Sequence, residues 1–174
     1  MIRRSFRKNE VTILLFLTIT IFSVFQLAAP FFLPQGSVID LSGHVGVIDN
    51  EKQIKHMVSP WSSIYWVGDI MCHQKSERSF FVNGNQIPFC SRCTGIWLGL
   101  AAGLGVMVFV RIQLDGKFIV CLLLGLAPIG IDGVGQLFGF WESINTVRFI
   151  SGLLAGFVCG LAVGVIVEEV GIHR

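Results

Sequence analysis

Phe118-Ile119-Val120-Cys121-Leu122-Leu123-Leu124-Gly125-Leu126-Ala127-Pro128-Ile129-Gly130-Ile131-Asp132-Gly133-Val134-Gly135-Gln136-Leu137-Phe138 decides the fold class. A helix crossing a bilayer needs about 20 mostly apolar residues. This run has that length, carries one formal charge, and lacks the polar face of a soluble amphipathic helix. Three more runs meet the same requirement: Val11 to Leu33, Thr94 to Val110, and Val147 to Val167. The expectation is an all-α, polytopic membrane protein. It has four transmembrane helices, at 11–33, 94–110, 118–138 and 147–167, and one large outer loop over 34–93. Residues 1–174 form a single membrane domain in this reading.

Composition agrees. Hydrophobic residues make up 53% of the chain and charged residues 14%, with 20 glycines and a mean hydropathy of +0.72. That is too apolar for an ordinary soluble domain. The net charge of +2 is spread along the chain. No basic block is interleaved with aromatics, so nucleic acid is excluded as a partner. The lipid bilayer is the expected partner, with a membrane-proximal small molecule or lipid beside it.

Arg3, Arg4, Arg7 and Lys8 precede the first apolar run, as in a secretory signal. The run is too long for a signal core, and Leu27-Ala28-Ala29-Pro30 is a poor cleavage site, so a retained anchor is expected. The N-terminal tail, the short loop with Arg111 and Lys117, and the Glu168–Arg174 tail are all read as cytoplasmic. Lys52, Lys55, Lys75, Arg78, Arg92 and Arg148 fall on the other side, so the bias comes from the charges nearest the helix ends. A cell-membrane protein with both termini cytoplasmic is the expectation.

Within the outer loop, Gln35 to Lys55 alternates apolar and polar residues, which predicts short strands or an irregular cap. Pro60 to Met71 holds Trp61, Tyr65 and Trp66 and is too short to span. It reads as a helix at head-group depth, with its aromatics in the interfacial belt. The alternative is a buried loop helix without lipid contact.

Gly95, Gly99 and Gly103 recur every four residues, as do Gly152, Gly156, Gly160 and Gly164. This spacing keeps each set on one helix face and permits close backbone approach. A glycine zipper between the second and fourth helices is expected.

The chemistry concentrates in Cys72-His73 and Cys90-Ser91-Arg92-Cys93-Thr94-Gly95. Two thiolates in a Cys-x-x-Cys can share one metal. Cys72 and His73 complete a Cys₃His set, with zinc as the cofactor. Adjacent side chains diverge in regular structure, so His73 is the fourth ligand only in an irregular loop. Otherwise it stands behind the ligands or acts as a base. The same cysteines have a redox reading, because the helix N-terminus and Arg92 favour thiolate. An inert disulfide is the third alternative. Cys121 and Cys159 lie inside apolar helices and receive no role.

Asp132 and Gln136 share one face of the third helix. A carboxylate there costs about 2.5–3.5 kcal/mol on insertion scales and marks a functional position. Arg148 is the expected counter-charge. Asp132 lies about 21 Å along the helix from Phe118, in the outer third of a core about 30 Å thick. Helix alternation puts Cys90, Cys93, Asp132, Gln136, Asn145 and Arg148 in one leaflet. A structural Asp132–Arg148 salt bridge is the alternative to a polar pocket. Pro128 and its glycines are placed to kink the helix. Arg78 is either a phosphate- or carboxylate-recognising residue or a solvated loop charge.

Gly68-Asp69-Ile70-Met71-Cys72-His73-Gln74, Arg78-Ser79-Phe80, Pro88-Phe89-Cys90-Ser91-Arg92-Cys93-Thr94-Gly95, Ile131-Asp132-Gly133-x-x-Gln136 and Asn145-x-x-Arg148-x-x-x-Gly152 together resemble a family of small prokaryotic membrane proteins. That family is a domain of unknown function with a Cys-His…Cys-x-Arg-Cys-Thr-Gly signature. The resemblance runs from Gly68 to Gly164 and names no reaction. A weaker likeness is to four-helix membrane thiol oxidoreductases that pass electrons to quinone, but this chain lacks a second cysteine pair.

Three functions follow. The first is a metal centre on Cys72, His73, Cys90 and Cys93, with His73, Asp132, Gln136 and Arg148 as candidate catalytic residues of a membrane-embedded hydrolase. The second is a thiol–disulfide oxidoreductase. The third is a channel, transporter or complex subunit without catalysis.

Overall fold

A computed structural model describes residues 2–172, and the side chains of residues 10–169. The basic side chains of Arg3, Arg4, Arg7 and Lys8, on which the orientation argument leans, lie outside the described side chains, and His173 and Arg174 lie outside the described residues.

Among the described residues, four helices are long and apolar enough to cross a membrane. Helix α1 is Ile2–Ala28 and its apolar part continues through a 3₁₀ turn at Ala29–Phe32. Pro30 fits that turn because it has no amide hydrogen to lose from a helix ladder. After two short helices, α2 (Glu51–Ile54) and α3 (Trp61–Met71), come a two-residue hairpin and the remaining long helices. These are α4 (Ser91–Phe109), α5 (Gly116–Leu137) and α6 (Asn145–Ile172). α5 runs unbroken through Pro128. The chain is an all-α polytopic membrane protein with a loop that bears a cysteine cluster.

The α4–α6 pair is the axis of the bundle. A methyl group on Gly95, Gly99 or Gly103 would meet the backbone carbonyls of Phe149, Leu153 and Phe157. In the other direction, Gly152, Gly156 and Gly160 face the carbonyls of Arg92, Ile96 and Leu100. The residue order shows that α4 and α6 run parallel. α1 lies antiparallel to α4, with Phe22 against Trp97 at 4.6 Å and Phe16 near Gly105. α5 packs on α6, where Gly125 faces Val158. The outward faces of α1 and α5 expose Leu14, Leu17, Ile21, Leu123, Leu124 and Ile131. Apolar surface of that extent belongs against lipid.

The loop folds into a cap with its own core of Ala29, Leu33, Val38, Leu41, Ile54, Ile64 and Tyr65. Residues 35–50 are irregular, and α2 follows them. The strands form elsewhere, as β1 (Phe81–Val82) and β2 (Asn85–Gln86). The turn between them is Asn83-Gly84, with φ of 53° and 72°. Positive φ at both positions suits a tight hairpin turn, and Asn-Gly tolerates it best. Pro60 to Met71 does form a helix, but Tyr65 belongs to the cap's core and not to a lipid-facing belt. Its hydroxyl donates to the Gln86 carbonyl at 2.7 Å, and burial raises its pKa above the ordinary phenol range.

Candidate metal centre and polar network

The cap delivers Cys72 to the mouth of α4. Cys72 follows the last residue of α3 in extended backbone (φ −140°, ψ 146°). Successive side chains then point to opposite sides: Cys72 and Gln74 are buried while His73 is exposed. Cys90 is the N-cap of α4, and Cys93 lies in its first turn. The sulfurs of Cys72, Cys90 and Cys93 all lie within 4.8 Å of one another. The cysteine cluster can therefore coordinate a metal ion. His73 is not in this group; its backbone carbonyl accepts from Gly43 N at 2.9 Å.

Two backbone amides hold the Cys72 sulfur in place. Cys90 N and Gln74 N donate to Cys72 Sγ at 3.4 and 3.5 Å. The α4 N-terminus adds its positive dipole end. Hydrogen bonds from the Cys72 and Cys93 thiols push the Cys90 thiol far below its ordinary range. Its thiol bond to Cys90 is the largest cause pushing Cys72 the other way. The cluster thus holds one thiolate readily, and a metal ion must displace the protons that the other sulfurs keep.

Three buried amides hold the two cysteine segments together, and residue pattern alone did not single them out. Gln74 Nε2 donates to the Pro88 carbonyl at 2.6 Å. Gln86 receives Leu41 N at 3.0 Å and donates to the Gln74 carbonyl and to Ser79 Oγ. Asn85 donates to the carbonyls of Pro30 and Pro34 and accepts from Val38 N. The Asn-Gly turn was the available signal, since it pairs Phe81 with Gln86 and pins both amides inward.

Beside the cysteines lies a polar network. Asp132 is buried, and its ion-pair partner is Arg92, not the expected Arg148. Arg92 sits in the first turn of α4, and its guanidinium reaches the carboxylate on α5. Gln136 Nε2 donates to Asp132 Oδ2 at 3.0 Å, and Arg148 donates to Gln136 Oε1 at 3.1 Å. Arg148 also donates to Asn145 Oδ1 at 3.0 Å. Trp141 Nε1 lies 3.5 Å from Asp132 Oδ1. Asn145 Nδ2 donates to the Ser79 carbonyl at 3.2 Å, which fastens α6 to the cap. Asp132, Gln136 and Arg148 are therefore joined in one chain of contacts. Arg92, flanked in sequence by Cys90 and Cys93, links that chain to the helix turn that carries the cysteines. Cys121 and Cys159 are not part of the cluster.

Comparison with known proteins gives uncharacterised relatives. The chain is 38% identical over 98 residues to the uncharacterized protein MJ1492 of Methanocaldococcus jannaschii, covering 54% of this chain and 62% of that protein. It is 42% identical over 93 residues to an uncharacterized protein of Methanothermobacter thermautotrophicus, covering 53% of this chain and 82% of that one. The chain thus spans less than two thirds of the length of the first relative. No solved structure matches it. Residues 72–162, from Cys72 past the polar network, match the family described as "Predicted membrane protein (DUF2085)", and the chain belongs to that family.

Proposed function

We propose that Cys72, Cys90 and Cys93 hold a zinc ion at one end of the helix bundle, with the fourth position open to a water or substrate. The mutual approach of the three sulfurs carries this reading. Tetrahedral zinc with Zn–S bonds of about 2.3 Å sets sulfurs about 3.8 Å apart, inside the 4.8 Å limit that these sulfurs meet. Soft thiolates select zinc, copper(I) or iron–sulfur clusters over magnesium or calcium. His73 stands behind the ligands in this proposal and reaches the metal only if the extended backbone after Cys72 turns.

A zinc ion with an open position polarises a bound oxygen. Asp132, Gln136, Arg148 and Arg92 then form the polar wall beside it, and hydrolysis of a membrane-proximal substrate is the reaction class. The glycine stripes act as a zipper that fixes α4 against α6, so that Arg92 and Arg148 meet α5 at one depth. The termini are cytoplasmic and the centre faces outward in this proposal.

A thiol–disulfide reading is favoured by the same approach of the three sulfurs, with Cys90 placed at the α4 N-terminus between the other two. Metal analysis of the purified chain, with a thiol count on the same sample, separates the two. One zinc per chain with five titratable thiols after chelation supports the metal centre. Metal-free protein with three thiols and one disulfide supports the redox reading and eliminates the first.

A further inference from the structure

Two arginines, Arg92 and Arg148, meet the Asp132–Gln136 pair, and Arg78 lies near them. Arg92 pairs with Asp132, and Arg148 uses one nitrogen on Asn145 and one on Gln136. Arg78 is brought alongside because the carbonyl of its neighbour Ser79 accepts from Asn145. Arg78 and Arg92 lie near enough for their charges to act on Arg148, as do the carboxylates of Asp132 and Glu142, and Arg148 is only 4% exposed. The Nε of Arg92 and of Arg148 is buried, and no described residue accepts a hydrogen bond from either; that of Arg78 faces a Glu77 carboxylate oxygen. On the acidic side, Asp132 is buried; Glu77 lies 3.6 Å from Arg78 at the loop surface, and Glu142 is exposed. Gathered guanidinium groups repel unless an anion lies among them. Their planar forks match the oxygens of a phosphate.

A second observation says what else the anion carries. An apolar groove of about 340 Å³ is lined by Gly130, Ile131, Val134, Gly135, Phe140 and Trp141. Trp141 belongs to both places, since its indole nitrogen faces Asp132 while its ring fills the space over Gly135. Ile131 and Val134 are 64% and 52% exposed on the lipid-facing side of α5, and nothing lies within 4 Å of a methyl built on Gly130. Trp141 thus stands between the arginines around Asp132 and an apolar groove along a membrane helix.

We propose that Arg78, Arg92 and Arg148 bind the phosphate head group of an anionic membrane lipid whose acyl chain lies in the groove beside Trp141. The arginines hold the phosphate at head-group depth. The groove supplies the apolar contact that distinguishes a lipid from a free anion. This site stands without the metal centre, because none of its groups is a proposed zinc ligand.

The test titrates the purified chain, in dodecyl maltoside, with dioctanoyl phosphatidate. Binding should saturate, and dioctanoylglycerol and inorganic phosphate should each bind at least about tenfold more weakly. Arg78→Gln and Arg148→Gln should each weaken phosphatidate binding by about tenfold or more. Arg78 lies on the loop, so its variant should keep the parental unfolding temperature and decide the matter if the Arg148 variant does not fold. Val134→Trp should weaken phosphatidate binding and leave inorganic phosphate binding unchanged. Parental affinity in the Arg78 variant would overturn the proposal, as would equal affinity for dioctanoylglycerol. Inorganic phosphate binding as tightly as phosphatidate would make this a free-anion site and overturn the lipid assignment.

Discussion

Arg92, two residues past Cys90 and one before Cys93, pairs with the buried carboxylate of Asp132 on α5. One turn of α4 thereby carries two of the three clustered sulfurs and the counter-charge of the intramembrane acid. Motion of that turn moves both.

Asp132→Asn tests how far the network depends on charge. It leaves the Arg92 guanidinium, one quarter exposed, without its ion partner. Hydrogen bonds to charged groups contribute about 1.5–3 kcal/mol, and a loss of about that size is expected. Thermal unfolding in detergent measures it, and Glu142→Gln, on an exposed side chain, should change little.

Gly156→Leu should destabilise by more than about 3 kcal/mol, because the new side chain meets the Ile96 backbone and neither helix can relax locally. Gly133→Leu, where a methyl meets nothing within 4 Å, should stay near the parent. Equal effects at the two positions would contradict the close α4–α6 contact.

The membrane helices were legible from apolar run lengths alone, because the bilayer imposes its thickness on the sequence. The ion pair was not. Counting residues gives depth along a helix but not which way a side chain turns, so Arg148 stood as the partner at the right level. The geometry gave the role to Arg92, which the sequence argument had set to work on the thiols. At His73 the sequence left two outcomes open, a fourth ligand in irregular backbone or a group behind the ligands, and the extended backbone at Cys72 sends the two side chains apart. The alternating residues after Gln35 allowed either short strands or an irregular cap, and they form the irregular cap. The strands form around Asn83-Gly84, where turn chemistry outweighs alternation.

Gln86→Leu should loosen the cap, since Gln86 joins Leu41, Gln74 and Ser79 and so ties the Cys72 segment to the hairpin. Losing these buried bonds should cost about 2–3 kcal/mol. Backbone hydrogen exchange at residues 72–80 should rise while α6 stays protected.

Tyr65 is the chain's single tyrosine, so tyrosinate absorbance reports it alone. Burial raises its pKa in the folded state. The sign follows from linkage: the contribution to stability is fully present below the unfolded value of about 10 and is lost as pH rises above it. The folded chain should therefore titrate above that value and unfold more easily in alkali. Tyr65→Phe should remove this alkaline loss. A normal phenol titration in the folded state would contradict the buried position.

The metal centre itself is tested most directly by X-ray absorption at the zinc edge of the purified chain. The account predicts three sulfur scatterers at about 2.3 Å and one lighter atom, with the zinc signal lost in Cys72→Ser, Cys90→Ser and Cys93→Ser and kept in Cys121→Ser. A shell without sulfur, or zinc retained in the triple Cys72, Cys90 and Cys93 variant, would contradict it.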